Sequence, residues 1–227
     1  MNIELETFLY VVKNNPSANV PYHNTRHMID MTRIAQNLLM VQGTESYTDG
    51  DTGDMTVLTL AGLFHDFAHS GGKEDDTKNV KRACKEAFTF LSGKPSISNI
   101  MLNDIIETIE CTVFPFTVEP TTLYQKCIRD ADVLYATMSQ DPTIIMEKLR
   151  DEICVSQDRA ISYEEMLEGQ RKFMDGVILY TDAGNRILHV MGEGYMRQLE
   201  YYVDRKSKVS DVTKTKMLIS GAEPTCR

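Results

Sequence analysis

The sequence predicts an all-α fold, and three observations carry the prediction. Apolar residues recur at helical spacing in segment after segment, and no stretch alternates apolar and polar residues over the length of a strand. The breaks between periodic segments are filled by Gly, Pro, Asn and Ser, the residues that favour turns and caps. There is no internal repeat and no low-complexity tract. With 227 residues the chain can bury one sizeable core, so we expect one helical domain over residues 1–205 and a polar C-terminal tail over 206–227. The helix number should be about eight to ten.

Taken in order, residues 2–14 carry Ile3, Leu5, Phe8, Leu9, Val11 and Val12 and stop at Asn14-Asn15-Pro16. The loop 16–25 brings Tyr22, His23 and Asn24, with Asn24 or Thr25 placed to cap a helix running from Arg26 to Gln42. In that helix Met28, Met31, Ala35, Leu38 and Leu39 form one stripe, while His27, Asp30 and Ile34 share a neighbouring side. Residues 43–53 read as a surface loop, followed by a helix that begins at Asp54–Thr56 and carries Leu60 to Phe67. Ser70-Gly71-Gly72 ends it.

Asp75 and Asp76 then meet the positive end of the next helix, where carboxylates are favoured; extra metal ligation is the alternative role for them. That helix carries Val80, Ala83, Cys84, Ala87, Phe88 and Leu91. Further helices follow at 97–112, 121–138, 142–154, 163–180 and 183–205, with Val177–Tyr180 strand-like in composition but helical by context. The 121–138 segment sets Asp130 and Asp132 into an apolar surface, which is costly for acids that are neither paired nor ligated.

Charge and cysteine content exclude some classes of function. A net charge of −9 without a dense Lys/Arg block argues against binding polymeric nucleic acid, although bound cations can reverse the field inside a pocket. Five cysteines, odd in number and without a Cys-x-x-Cys pair, argue against a disulfide framework and against a thiolate zinc site. No basic-then-apolar leader and no membrane-length apolar run is present, so a cytoplasmic chain with no membrane association is expected.

The histidines are concentrated. Of five in the chain, four lie in two clusters, PYHNTRHMID with His23 and His27 and LAGLFHDFAHS with His65 and His69. The 65/69 spacing places both imidazoles on one helical face, with Asp66 beside them. Imidazole and carboxylate together suit zinc, manganese, iron and magnesium.

The order of these residues resembles the HD superfamily of metal-dependent phosphohydrolases. It resembles most the catalytic domain of 3′,5′-cyclic nucleotide phosphodiesterases, in a short version. The residues that carry the resemblance are Pro21-Tyr22-His23-Asn24-x-x-His27-x-x-Asp30, then Leu63-Phe64-His65-Asp66-x-x-His69. A third segment, Gln170-Arg171-Lys172-Phe173-Met174-Asp175, resembles that family's helix bearing a base-recognising glutamine and, three residues on, a clamp phenylalanine.

The resemblance implies a compact multi-helix catalytic domain in which His27, His65, Asp66 and Asp132 hold a first metal, zinc, iron or manganese. Asp66 would bridge to a second, water-rich magnesium or manganese, with His69 acting on that metal through water. Asp132 is preferred over Asp130 because Ala131-Asp132-Val133 matches the family's Ala-Asp-hydrophobic pattern; Asp130 is the alternate. His23 would be the general acid, Asp30 would orient a neighbouring group, and Tyr22, Gln170 and Phe173 would shape the substrate pocket. The implied reaction is hydrolysis of cAMP, cGMP or both to the 5′-monophosphate, with two cations neutralising the phosphate and supplying the attacking hydroxide.

The chain departs from the pattern at Thr112-Val113-Phe114, where the family has Thr-Asp-Met, and at Val133-Leu134-Tyr135, where it usually has Ser-Asn. These losses bear on base selectivity more than on metal chemistry. A different HD-type phosphohydrolase, acting on a cyclic dinucleotide or a nucleotide, and a non-catalytic nucleotide-binding domain are the competing readings.

Overall fold

The computed structural model describes residues 2–43 and 52–220. Among these residues there are nine α-helices and no strand: α1 (Ile3–Asn14), α2 (Thr25–Gly43), α3 (Thr52–Phe64), α4 (Asp76–Leu91), α5 (Asn99–Glu110), α6 (Leu123–Leu134), α7 (Pro142–Ser156), α8 (Tyr163–Gly176) and α9 (Asp182–Ser220). The all-α prediction holds. None of these helices is long and apolar enough to cross a membrane.

Local chemistry sets where most helices begin. Asn2, Asp75, Ser98 and Asp141 each accept a backbone N–H of the first turn, and Pro142 sits at the first position of α7. Thr122 with Gln125 and Ser162 with Glu165 form reciprocal capping boxes at α6 and α8. Asn24 Oδ1 accepts the N–H groups of Arg26 and His27 at 2.9 and 3.1 Å, so the side chain that opens α2 also fixes the backbone of a metal-type histidine.

Several element ends differ from the sequence reading, α6 among them, which stops at Leu134 rather than at 138. Helix α3 stops at Phe64, and His65–Ala68 turn away, with Ala68 at φ 60. Helix α8 stops at Gly176, and residues 177–180 are not helical, because Asp130 captures the N–H groups of Tyr180 and Thr181 at 2.9 and 2.8 Å. Helix α9 continues beyond Arg205 to Ser220, through most of the expected tail; residues 221–227 and the centre of the expected 43–53 loop lie outside the described residues.

The main core is built from α2, α3, α5 and α6, with Met28, Met31, Ala35, Leu58, Ala61, Phe64, Ile105, Ile109, Cys127, Ile128 and Ala131 all fully buried. Each large side chain among them contributes about 1.5–3 kcal/mol by leaving water. Helices α2 and α3 approach closely at Gly62, where an added Cβ would lie 2.5 Å from Thr32 Oγ1. That close approach sets how near the start of α2 comes to the end of α3. A second apolar cluster joins α7, α8 and α9 through Met146, Met166, Leu167, Tyr195, Leu199 and Val203. There Glu147 takes bonds from Tyr163 at 3.2 Å, from Lys206 at 3.0 Å and from Tyr202.

The turn after His69 locks these parts together. Gly72 has φ +85, and a Cβ there would meet the carbonyl oxygen of Glu152 at 2.3 Å. Gly72→Ala is therefore expected to destabilise the fold by about 1–3 kcal/mol, since neither the backbone angle nor α7 accommodates the methyl group. A thermal melt within a degree of wild type would refute this.

Candidate metal centre

Three separate segments bring metal-type side chains to one point. His27 lies in the first turn of α2, His65 and Asp66 follow the end of α3, and Asp132 lies near the end of α6. His27 Nε2 is 3.3 Å from His65 Nε2, 3.2 Å from Asp66 Oδ2 and 3.2 Å from Asp132 Oδ1. His65 Nε2 is 3.0 Å from Asp66 Oδ2. His27 and His65 are buried, as is Asp66, while the Asp132 side chain keeps 24% of its exposure and opens the cluster to one side.

The donor set fits a cation. His65 Nδ1 is paired with the carbonyl of Gly62 at 2.8 Å, which places its proton there and turns the Nε2 lone pair toward Asp66. Lone pairs and carboxylate oxygens then face one another at about 3 Å. Asp66 Oδ2 and His27 Nδ1 are buried without a hydrogen-bond partner among the described residues. Burial lowers the pKa of His27, but the adjoining carboxylates of Asp132 and Asp66 overcome this and hold it up at about 9. Burial likewise raises that of Asp66, yet the adjoining imidazoles of His65, His23 and His27 keep its carboxyl well below the usual range. A cluster that pulls so hard on a proton is built to hold positive charge, and His27, His65 and Asp66 could together hold a metal ion.

Beside it stands a second group, His23, His69 and Glu152, whose ligand-type atoms also lie within 4.8 Å of one another. His23 Nδ1 is 2.6 Å from Glu152 Oε2, and the His23 and His69 rings lie 3.9 Å apart. Glu152 Oε1 also accepts the N–H groups of Tyr22 and His23 at 2.6 and 2.9 Å. Burial alone would lower the pKa of His23; the charge of Asp66 and the bond from Glu152 reverse this and raise it. Tyr22 packs on the His27 ring at 5.0 Å. His69 is held on both sides: Gly71 N–H points at Nδ1 from 3.1 Å, and Asn79 Nδ2 lies 2.9 Å from Nε2.

Several sequence expectations change here. His65 and His69 do not share a helical face: the turn after Phe64 sends His65 to His27 and His69 to His23. Asp130 is not placed as a ligand. It is fully buried and its carboxylate accepts from Tyr180 N, Thr181 N and Thr181 Oγ1, anchoring the start of α9. Asp30 pairs with Arg26 and Arg33 rather than with a histidine. Asp75 caps α4. Gln170 is half-buried on α8, and Phe173 packs against the main core with its ring 6.3 Å from Phe114.

Glu152 was missed. Its signal was present, since it falls on the Ile145, Leu149, Glu152 stripe of α7, an acid on the buried face of an amphipathic helix.

The fold has a structural counterpart. The phosphodiesterase domain of the RhoPDE fusion protein from the choanoflagellate Salpingoeca rosetta superposes with a TM-score of 0.61, at 13% identity, over 95% of this chain and 86% of that one. The fold is phosphodiesterase-like. No family model matches the sequence, and no match to a curated protein was found. The phosphodiesterase-like fold thus rests on three-dimensional similarity, with the site residues drawn from this chain's own geometry.

Proposed function

We propose that the chain is a metal-dependent phosphodiesterase that hydrolyses a 3′,5′-cyclic nucleotide to the 5′-monophosphate. The observation that carries the reading is the convergence of His65, Asp66 and Asp132 on His27 Nε2, at 3.3, 3.2 and 3.2 Å, directly beside a buried His23–Glu152 pair. The first four would hold a zinc, iron or manganese ion, and Asp66 would share a second, magnesium or manganese. Bound cations would neutralise the phosphate and lower the pKa of the attacking water.

The chain's own residues supply the rest. His23, fixed by Glu152 and with its pKa raised, would hand a proton to the leaving ribose oxygen. His69, whose ring lies 3.9 Å from that of His23, would hold that ring in place and act on the second metal through water. Tyr22 walls the pocket, while Gln170 and Phe173 are the candidate base contacts. The free thiols of Cys84, Cys111, Cys127 and Cys154 suit a reducing, cytoplasmic setting.

The test is a panel of cyclic mononucleotides, cyclic dinucleotides and nucleotides, assayed with manganese or magnesium. Release of 5′-AMP or 5′-GMP supports the proposal. Cleavage of only the cyclic dinucleotides or nucleotides would replace it with another phosphohydrolase reaction, and a purified protein empty of metal would favour a binding domain.

Glu152→Gln tests the acid. Glu152 raises the pKa of His23, so the neutral amide must lower it. The active form carries the proton, so activity falls as pH rises through that pKa. The alkaline limb of kcat/KM should therefore move to lower pH in Glu152→Gln, with kcat reduced at least about tenfold. An unmoved limb would dissociate Glu152 from proton transfer.

A further inference from the structure

The connector between α5 and α6 carries three exposed apolar residues, Phe114, Phe116 and Val118. Its link to the site is a single carboxylate. Asp76, the first residue of α4, leaves the capping of its own helix to Asp75. Its Oδ2 instead accepts the N–H of Phe114 at 2.6 Å, while Oδ1 lies 3.6 Å from His69 Nε2. The Phe114 backbone is thereby tied through one carboxylate to His69, the imidazole that packs against His23.

The connector is also fastened from below. Arg129, 1% exposed, bonds the carbonyls of Cys111 and Val118 and lies with its guanidinium 3.9 Å over the Phe116 ring. Phe114 stands edge-on to Phe116 at 5.4 Å and meets Phe173 at 6.3 Å and 60°, yet it remains 53% exposed. Because the two rings are not parallel, they do not form a slot that would sandwich a flat group between them. Phe114 instead keeps half of its surface open, on a backbone tied through Asp76 to His69.

We infer that Phe114 is a specificity-determining residue, an aromatic seat on which the flat heterocycle of the substrate stacks, and that Asp76 is the positioning residue that holds it. The inference rests on the phosphodiesterase reading above and adds to it the way the base is recognised. Stacking is tolerant of base identity, because every base has an aromatic face. Recognition through Phe114 therefore separates ligands with a base from ligands without one, and favours the larger purines over pyrimidines, without choosing between adenine and guanine.

The experiment is equilibrium binding by calorimetry, with manganese present, of AMP, GMP and UMP and of ribose 5-phosphate, which lacks a base. Wild type should bind AMP and GMP about tenfold or more tightly than ribose 5-phosphate, with UMP between them. Phe114→Ala should bring all four to within about twofold while leaving ribose 5-phosphate unchanged, and Phe114→Tyr should restore the preference. Asp76→Ala, with Phe114 intact, should lose part of it. If wild type binds the nucleotides and ribose 5-phosphate equally, or if Phe114→Ala weakens all of them by one common factor, the inference is overturned. Absence of turnover on cyclic nucleotides would sink the proposed reaction separately, since the binding ratio is read without catalysis.

Discussion

Replacing Asp66 with Ala is expected to reduce turnover by on the order of 10³-fold or more, roughly 4 kcal/mol of lost transition-state stabilisation. Asp66 Oδ2 is the atom common to both imidazoles, 3.0 Å from His65 Nε2 and 3.2 Å from His27 Nε2. Without it those nitrogens face each other at 3.3 Å with only Asp132 to offset a cation's charge. The metal content of purified Asp66→Ala should fall with its activity. Asp66→Asn should lose as much, because the amide keeps the shape and gives up the charge. Asp130→Asn supplies the contrast: its oxygens hold the start of α9, so it should melt earlier yet retain its metal. Equal metal content in wild type and Asp66→Ala would remove Asp66 from the centre and with it the proposed chemistry.

How much of this was legible in the sequence depends on how far away each determinant lies. Most helix starts were written locally, in cap residues one to three positions from the groups they satisfy. The end of α3 was not. The turn that parts His65 from His69 is held by Asn15, 53 residues earlier, whose Oδ1 accepts the Ala68 N–H at 3.0 Å. The periodicity of residues 60–67 carried no trace of that contact. The preference for Asp132 over Asp130 comes from the resemblance, whose Ala-Asp-hydrophobic pattern falls on Asp132; helix geometry adds only that residues two apart point about 200° apart, so the two acids face different neighbours. What remained hidden was the use of the other: Asp130 serves a backbone segment 50 residues downstream. Glu152 was half-legible. Its misfit on an apolar face showed that it must have a partner, but His23 is 129 positions away and no local rule connects the two.

His23→Asn is expected to cost about 10²- to 10⁴-fold in kcat on a cyclic nucleotide, the usual worth of a positioned general acid. The leaving group is a ribose alkoxide, a strong base that departs slowly unless protonated as the bond breaks. A substrate whose leaving group is a stable anion needs no such proton. With bis(p-nitrophenyl) phosphate, the loss in His23→Asn should shrink to within about tenfold, because Asn still offers a hydrogen-bonding amide while p-nitrophenolate leaves unprotonated. The two substrates thus separate proton donation from pocket integrity, a distinction that matters because His23 also packs on His69 at 3.9 Å and pairs with buried Glu152. If the loss were equal on both, His23 would be supporting the architecture of the pocket, and the proton would have to come from elsewhere. If it appears only with the alkoxide, the buried Glu152–His23 pair is a proton source, which accounts for a carboxylate that the fold keeps 3% exposed and directs at an imidazole 2.6 Å away.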